Sequence, residues 1–261
     1  MTTAEIQALF AQTLRGDGDS EEAWAAIHTL QLNGSREVFD FAEEWCGSSN
    51  SLKREKAVDV LSQLQRKTQH GLPNEKLFHE ESYALITEMF RAEHDLGVLR
   101  AAIFALGHLD IVEAISAISM IRGYEDHPDG DLRFAVAVAL GSFPNDNLSV
   151  AGLLKQMTDS DSDVRDWAVF GLGVQGNVDS PEIREALLRC LEDTNEDVRE
   201  EAAAGLGKRR DRRVLPALWA MLDAGKPNSR VREAVTALLG LSDEPEGWGA
   251  GDYKEALVRE F

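Results

Sequence analysis

Val164-Arg165-Asp166-Trp167-Ala168-Val169-Phe170-Gly171-Leu172-Gly173 is one of four copies of the motif Val-Arg-x-x-Ala-x-x-(Ala/Gly)-Leu-Gly in this chain. The other copies begin at Leu132, Val198 and Val231, and the arginines of the four copies follow one another at intervals of 32, 34 and 33 residues. Self-similarity at such a period is typical of stacked supersecondary units, each too small to bury its own apolar face. The recurrence therefore predicts a binding surface built from repeats.

Degenerate copies of the motif precede these four. Leu99 takes the arginine position in one copy, Arg54 heads another, and a weaker copy surrounds Trp24. The interval from Arg54 to Leu99 is 45 residues, and we interpret residues 69–74 within it as a loop inserted before a helix near residues 75–91. Apolar residues three and four positions apart make each copy an amphipathic helix, and a second helix follows each one.

This alternation predicts an all-α fold, an α-solenoid of about six to seven helix pairs forming one elongated, right-handed superhelical domain. We expect the solenoid to span residues 1–241, with degenerate repeats over 1–96 and regular repeats over 97–241. Residues 242–261 are then a linker and a short capping helix over 252–260. The glycine that ends each motif either terminates its helix or permits close helix packing.

Composition limits the function classes. The net charge is −19, from 46 acidic against 27 basic residues, which argues against nucleic acid and favours a basic partner. No apolar run reaches the roughly 18 residues of a membrane span. Met1 to Trp24 lack the pattern of a secretory signal, and Cys46 and Cys190 belong to no paired motif. We therefore expect a cytoplasmic monomer without cofactor or metal.

The repeats resemble HEAT repeats of the short bacterial type, also called lyase-type HEAT-like repeats. The carriers are residues 195–207, with the sequence Asn-Glu-Asp-Val-Arg-Glu-Glu-Ala at their start, and residues 211–218. The resemblance covers residues 97–241. A narrower likeness, in residues 163–170 and 207–215, is to HEAT proteins encoded beside large secreted Rhs toxins, which are thought to act as immunity proteins.

By that resemblance, the helix that carries the Val-Arg motif lines the concave side. Positions +1, +5 and +9 after the repeat arginine share one helix face, with +2 at its border, whereas −1, +3, +6 and +7 face the core. Several of the outward positions carry large apolar or acidic side chains, as interface hot spots do, unless the curvature of the solenoid buries the rings between repeats. The predicted partner-binding residues are Arg100, Phe104, His108, Phe134, Val138, Asp166, Trp167, Phe170, Glu200, Glu201 and Glu233.

Several motifs in the sequence can be interpreted either as functional sites or as parts of the structure. Residues 171–176 match GxGxxG, but the match closes a helix instead of opening one, so a dinucleotide site is not expected. His79-Glu80 is similar to one of the pairs that bind iron in HEAT-repeat deoxyhypusine hydroxylases, a family that needs several such pairs. The repeat arginines are expected to pair with acids of neighbouring repeats. The basic run 208–213 is expected to be a solvated or locally paired turn.

The sequence thus indicates a non-enzymatic α-solenoid that binds a protein, possible roles including neutralisation of a cognate toxin. One rival is a bilin lyase or chaperone-like subunit acting on a chromophore-bearing protein, since that class shares the repeat type. A DNA-repair glycosylase of HEAT type is the other rival, and it would need a positively charged groove.

Overall fold

The computed structural model describes residues 1–16, 18–66, 68, 74–109, 112–225 and 227–261. Within these ranges the chain is almost entirely helical, with fifteen α-helices in chain order. They are α1 Thr3–Thr13, α2 Glu21–Leu32, α3 Arg36–Cys46, α4 Ser51–Leu61, α5 His79–Ala92, α6 Leu96–His108, α7 Ile118–Ile121, α8 Gly130–Gly141, α9 Asn147–Gln156, α10 Ser162–Val169, α11 Pro181–Cys190, α12 Glu196–Lys208, α13 Leu215–Asp223, α14 Ser229–Leu239 and α15 Ala250–Glu260.

The predicted α-solenoid is confirmed, with seven helix pairs in the described part of the chain. The even-numbered helices from α2 to α14 carry the Val-Arg motif or its degenerate forms, and each follows the first helix of its pair. In the fourth pair, short 3₁₀ turns at Val112–Ala117 and Arg122–Tyr124 flank α7. Successive Val-Arg helices contact each other from α2 to α6 and from α10 to α14.

Two compact units divide the chain, residues 1–139 and residues 140–261, and their boundary falls inside α8. The core of the first unit includes Phe10, Leu30, Leu61, Ile103 and Leu106, all without exposed surface. The core of the second unit is formed by residues of each helix pair and of α15, among them Val164, Leu172, Leu187, Leu206, Leu218 and Tyr253. The helix α15, which lies in the segment predicted as a linker and capping helix, packs on α13 and α14.

Polar side chains at the helix starts explain where the Val-Arg helices begin. The Asp161 carboxylate accepts a hydrogen bond from the backbone N–H of Asp163 at the start of α10, and the Asn195 side chain accepts one from Val198 at the start of α12. Such caps satisfy backbone donors that have no partner inside the helix. The acid-rich turns of the sequence therefore fix the ends of the repeats.

At Arg54 and Arg165, the repeat arginine joins its own turn to the next repeat. Arg165 donates from one terminal nitrogen to the carbonyls of Asp159 and Ser160, and through Nε and its other terminal nitrogen to Asp193 at 2.7 and 2.8 Å. Arg54 pairs with Glu93 of the following repeat in the same two-pronged manner, at 2.7 and 3.0 Å. These contacts give Arg54 and Arg165 the structural role that the sequence predicted for the repeat arginines, whereas Arg199 donates to the carbonyls of Asp193 and Thr194 in its own turn.

Three of the four motif glycines permit close packing of helices, and the fourth ends its helix. A Cβ atom at Gly207 would lie 2.4 Å from the carbonyl oxygen of Ala234 in α14. Gly141 lies against the backbone of Gly171, and Gly173 against that of Gly205. Gly240 instead adopts a left-handed conformation with φ of 72° just after α14. The sequence left open whether the motif glycine ends its helix or permits close helix packing. Gly240 of the last repeat ends its helix, whereas the other three motif glycines permit close packing.

A short antiparallel strand pair lies between α4 and α5, β1 at Gln65–Arg66 and β2 at Glu75–Lys76. The sequence did not predict it, because strands of two residues are too short to show a period-2 pattern. The loop predicted at residues 69–74 lies outside the described residues, apart from Asn74.

Candidate functional site

All eleven residues predicted to face a partner keep exposed surface in the structure. His108, Trp167 and Glu233 are exposed, and the other eight are half-buried. The curvature of the solenoid therefore does not bury the aromatic rings: Trp167 keeps 36% of its surface exposed, and Phe104 is half-buried. Five of the eleven belong to the first unit and six to the second, so each unit is described by itself.

In the second unit, aromatic and charged side chains of three consecutive Val-Arg helices form one cluster, called here the second-unit surface. The rings of Trp167 and Phe170 meet edge to face, with centroids 5.7 Å apart. The guanidinium of Arg230 lies 5.0 Å from the centroid of the Phe170 ring, and this arginine also pairs with Glu201 at 2.6 Å and with Glu233 at 2.9 Å. The members of the cluster are Asp166, Trp167, Phe170, Glu201, Arg230 and Glu233.

Two carboxylates of the second-unit surface are poorly solvated and incompletely paired. Burial raises the pKa of Glu201 to about 7, although Arg230 acts to lower it. Burial, together with the neighbouring charges of Asp197 and Asp163, raises the pKa of Asp166 to about 6. Oδ1 of Asp166 and Oε2 of Glu201 are buried and have no hydrogen-bond partner among the described residues. Such atoms are costly to bury.

The outward face of the Val-Arg helices, predicted at positions +1, +5 and +9, extends one turn further towards the start of each helix. Arg230 lies two residues before its repeat arginine, at position −2, as do Asp131, Asp163 and Asp197 in their repeats. Position −2 is seven residues from +5, which is two helical turns, so the two positions share a face. The regular spacing of the motif could therefore have predicted that the residues at position −2 lie on this face.

A π-helical segment, Phe170–Gln175, follows α10 directly. Wider turns of this kind are rare, and they often occur at functional sites. The side chain of Arg209, only 4% exposed, holds the segment by donating to the carbonyls of Leu172 and Gly173, and it donates to that of Val178 as well. The GxGxxG match thus presents carbonyl oxygens to a cation, which is the opposite of a phosphate site.

Two further cations of the basic run 208–213 are also paired within the chain. Lys208 donates to the carbonyls of Val174 and Gly176, and Arg213 pairs with Asp211 and Glu185. The run is therefore a locally paired turn, which was one of the two structural expectations.

In the first unit, three aromatic side chains and several carboxylates line a pocket of about 320 Å³, called here the first-unit pocket. The rings of Phe104 and Phe134 meet edge to face at 6.1 Å, and Trp24 of α2 is 40% exposed. Arg100 contacts Asp131 at 3.5 Å. The lining residues are Asp19, Trp24, Glu55, Asp59, Arg100, Ala101, Phe104, Asp131 and Phe134.

A buried lysine lies beneath these carboxylates. The Lys56 side chain is 1% exposed, and its Nζ donates to Glu55 at 2.8 Å and to Asp59 at 3.1 Å. The same ammonium is 5.4 Å from the centroid of the Trp24 ring. Burial acts to lower the pKa of Lys56, but the adjacent carboxylates raise it above its ordinary value. Burial raises the pKa of Asp59 to about 6, against the influence of Lys56.

Three predicted residues belong to neither cluster. His108 lines a small cavity of about 110 Å³ together with His79, and burial lowers the pKa of His108. Glu200 accepts a hydrogen bond from Asn228 in another cavity of the second unit. Val138 is half-buried in α8 and is absent from the lining of the first-unit pocket.

Part of the first-unit pocket was not predicted from the sequence. Glu55 and Asp59 occupy positions +1 and +5 after Arg54, so the rule applied to the later repeats would have identified them. Trp24 lies in the copy that is too degenerate to align, and its place in the pocket becomes visible only in the folded chain.

The described ranges hold no candidate metal cluster and no candidate membrane span. No group of three or more His, Cys, Asp and Glu side chains there is placed to hold a metal ion. No helix in those ranges is long and apolar enough to cross a lipid bilayer. Cys46 and Cys190 are buried free thiols, and burial raises their pKa values to about 12 and about 11.

Comparison with known proteins supports the repeat type and the fold. Residues 150–240 match the family model of HEAT repeats. The chain is similar to Protein YibA of Escherichia coli strain K12, with 27% identity over 240 residues, covering 88% of this chain and 79% of YibA. It also resembles the crystal structure of E. coli YibA, with a TM-score of 0.74 and 21% identity over 97% of this chain and 91% of that one. The crystal structure of an engineered protein gives a TM-score of 0.50 at 17% identity, covering 99% of this chain and 72% of that one.

Proposed function

We propose that this chain with HEAT repeats is a binding protein without catalytic activity of its own, which holds a basic protein partner on the exposed face of its Val-Arg helices. The observation that carries the proposal is the second-unit surface. There the exposed Trp167 lies beside Phe170, and carboxylate oxygens of Asp166 and Glu201 are buried with no hydrogen-bond partner in the described part of the chain.

Aromatic and acidic side chains make different contributions to such an interface. A large ring such as Trp167 provides contact area at a small cost in conformational entropy, and tryptophan is enriched among the residues that dominate binding energy. Buried carboxylate oxygens gain most from charged N–H donors, because charge-assisted hydrogen bonds are about twice as strong as neutral ones. Lysine and arginine side chains of a partner supply such donors.

The charge of the whole chain supports the same partner chemistry. A net charge of −19 creates a field that attracts basic proteins and speeds their encounter with this surface. Association with the partner is therefore expected to slow as ionic strength rises, since salt screens the field.

Site-specific photo-crosslinking tests the proposal. A photoreactive amino acid at Glu233, an exposed residue of the second-unit surface, is compared with the same amino acid at Glu182, an exposed residue on α11. In extract of the source cells, position 233 is expected to give a discrete adduct with a basic protein, identified by mass spectrometry, and position 182 is expected to give none. Equal adducts from both positions, or none from 233, would refute the proposal.

A variant then measures the contribution of the anchor. With the crosslinked protein purified, Trp167→Ala is expected to weaken its binding at least about tenfold, as loss of an interface hot spot does. Glu182→Gln, the matched surface control, is expected to leave the affinity unchanged.

A finer version of the proposal is that the partner is a toxin that this chain neutralises. Its support is the resemblance of residues 163–170 and 207–215 to HEAT proteins encoded beside Rhs toxins. Co-expression tests it: the chain should rescue cells from a toxin encoded next to its own gene, and Trp167→Ala should rescue them less well. Growth arrest that is unchanged by the intact chain would reject this version.

A further inference from the structure

The first-unit pocket has the composition of a site for a cation. Four carboxylates, from Asp19, Glu55, Asp59 and Asp131, line it or its floor, against two cations, Lys56 and Arg100. We propose that this pocket binds one arginine side chain of the protein partner, an inference that rests on the proposed function for the source of the arginine.

Charge complementarity is the first argument. The pocket keeps a formal charge of −2 after Lys56 and Arg100 are counted against the four carboxylates. Asp131 is 78% exposed and contacts Arg100 only at 3.5 Å, so it can turn towards an incoming guanidinium at little cost. A basic side chain entering the pocket is thus attracted by the lining residues themselves.

The aromatic lining is the second argument. The negative face of an aromatic ring attracts a cation, and the described residues already make this contact at several rings, of which two are informative here. The ammonium of Lys56 lies 5.4 Å from the Trp24 ring, and in the second unit the guanidinium of Arg230 lies 5.0 Å from the Phe170 ring while it pairs with two carboxylates. The second-unit arrangement shows how a guanidinium, a ring and carboxylates fit together in this fold.

Size and chemistry favour arginine over other occupants. A volume of about 320 Å³ lies at the small end of ligand sites, which span about 300–1,000 Å³, so it suits one long side chain better than a helix. Arginine is more weakly hydrated than lysine, stacks on rings and donates to two carboxylate oxygens at once. Lysine is therefore expected to bind this pocket more weakly.

Short peptides test the proposal on the full chain. The probes are acetyl-Gly-Arg-Gly-amide, the same peptide with lysine, and the same peptide with citrulline, which keeps the shape of arginine without its charge. The indole N–H signal of Trp24 is followed by NMR during each titration. The arginine peptide is expected to shift this signal saturably, the lysine peptide to bind more weakly, and the citrulline peptide to bind at least about tenfold more weakly.

Variants locate the binding. Trp24→Leu, followed through the remaining tryptophan signals and by calorimetry, is expected to weaken the arginine peptide about two- to fivefold. Asp131→Asn should weaken it as well, whereas Asp40→Asn, which removes one charge from an exposed pair with Arg36 elsewhere in the first unit, should not. Equal binding of the arginine and citrulline peptides, or equal effects of the two Asp→Asn variants, would overturn the proposal.

Failure of this inference can be told apart from failure of the proposed function. If the arginine peptide does not bind but position 233 still crosslinks a basic protein, the pocket assignment alone is wrong. If the peptide binds at Trp24 and position 233 captures no partner, the pocket assignment holds and the proposed protein-binding surface of the second unit is wrong.

Discussion

The contact between α12 and α14 allows a stability prediction that can be worked from distances. A Cβ atom at Gly207 would lie 2.4 Å from the carbonyl oxygen of Ala234, and 2.7 and 2.9 Å from its Cα and carbonyl carbon. These are main-chain atoms and cannot rotate away, so Gly207→Ala must move the two helices apart by about 1 Å.

The magnitude follows from two opposing effects. Forced overpacking costs about 1–3 kcal/mol, and a backbone contact belongs at the upper end of that range. Alanine is favoured over glycine in a helix by about 1 kcal/mol. The net loss in free energy of unfolding is therefore about 2 kcal/mol, which corresponds to a fall in Tm of about 4–8 °C for a chain of this size.

Thermal and urea unfolding, followed by far-ultraviolet circular dichroism, measure the change. Gly251→Ala is the matched control, because Gly251 lies in α15 and its Cβ would meet no atom within 4 Å. The control is expected to be as stable as the original chain or more stable. A Gly207→Ala variant whose Tm equals that of the original chain would refute the packing argument.

Three further predictions concern charged side chains. Burial raises the pKa of Glu201 to about 7, so the folded chain keeps a proton that the unfolded chain releases above about pH 4.5. The contribution of this group to the free energy of unfolding therefore declines as the pH rises to about 7. Glu201→Gln should reduce that decline, measured by urea unfolding at about pH 5 and about pH 8. Arg209→Met should lower the free energy of unfolding by about 2–4 kcal/mol, because buried carbonyls lose their charged donors. Arg212→Ala, the control, should lower it by less than about 1 kcal/mol in the same assay. Arg54→Met, which breaks a mostly buried pair, should cost about 2–4 kcal/mol, against less than about 1 kcal/mol for Arg36→Ala in an exposed pair; equal losses for the two would contradict the burial argument.

The sequence predicted the helices and their pairing because one motif contains both the helical spacing of the core residues and the residues at which each repeat begins. The residues at −1, +3, +6 and +7 of the copy that begins at Val164 are all buried, as the helical period requires. The π-helical turn at Phe170–Gln175 could not be predicted in this way, since the same letters form an ordinary α-helix at Gly205 to Gly207. Contacts from Arg209 stabilise that turn, and these depend on the folded neighbour.

The candidate site was predicted in part. The positions +1, +2 and +5 identified Asp166, Trp167 and Phe170, because a helix repeats its faces regardless of tertiary context. The same rule could not show that Arg230 lies over Phe170, or that Trp24 closes a pocket with Phe104. Those neighbours come from other helices, and only the packing of successive repeats brings them together.

The hydrogen bonds of Arg165 and Arg209 run in opposite directions along the chain, and this has a consequence for how the second unit unfolds. Arg165 bonds forward to Asp193, and Arg209 bonds backward to carbonyls at residues 172, 173 and 178. In a repeat array, cooperativity depends on how large the coupling between neighbours is relative to the stability of each repeat. Loss of either repeat here would leave buried polar groups of the other without partners, so we expect these two repeats to melt in one step.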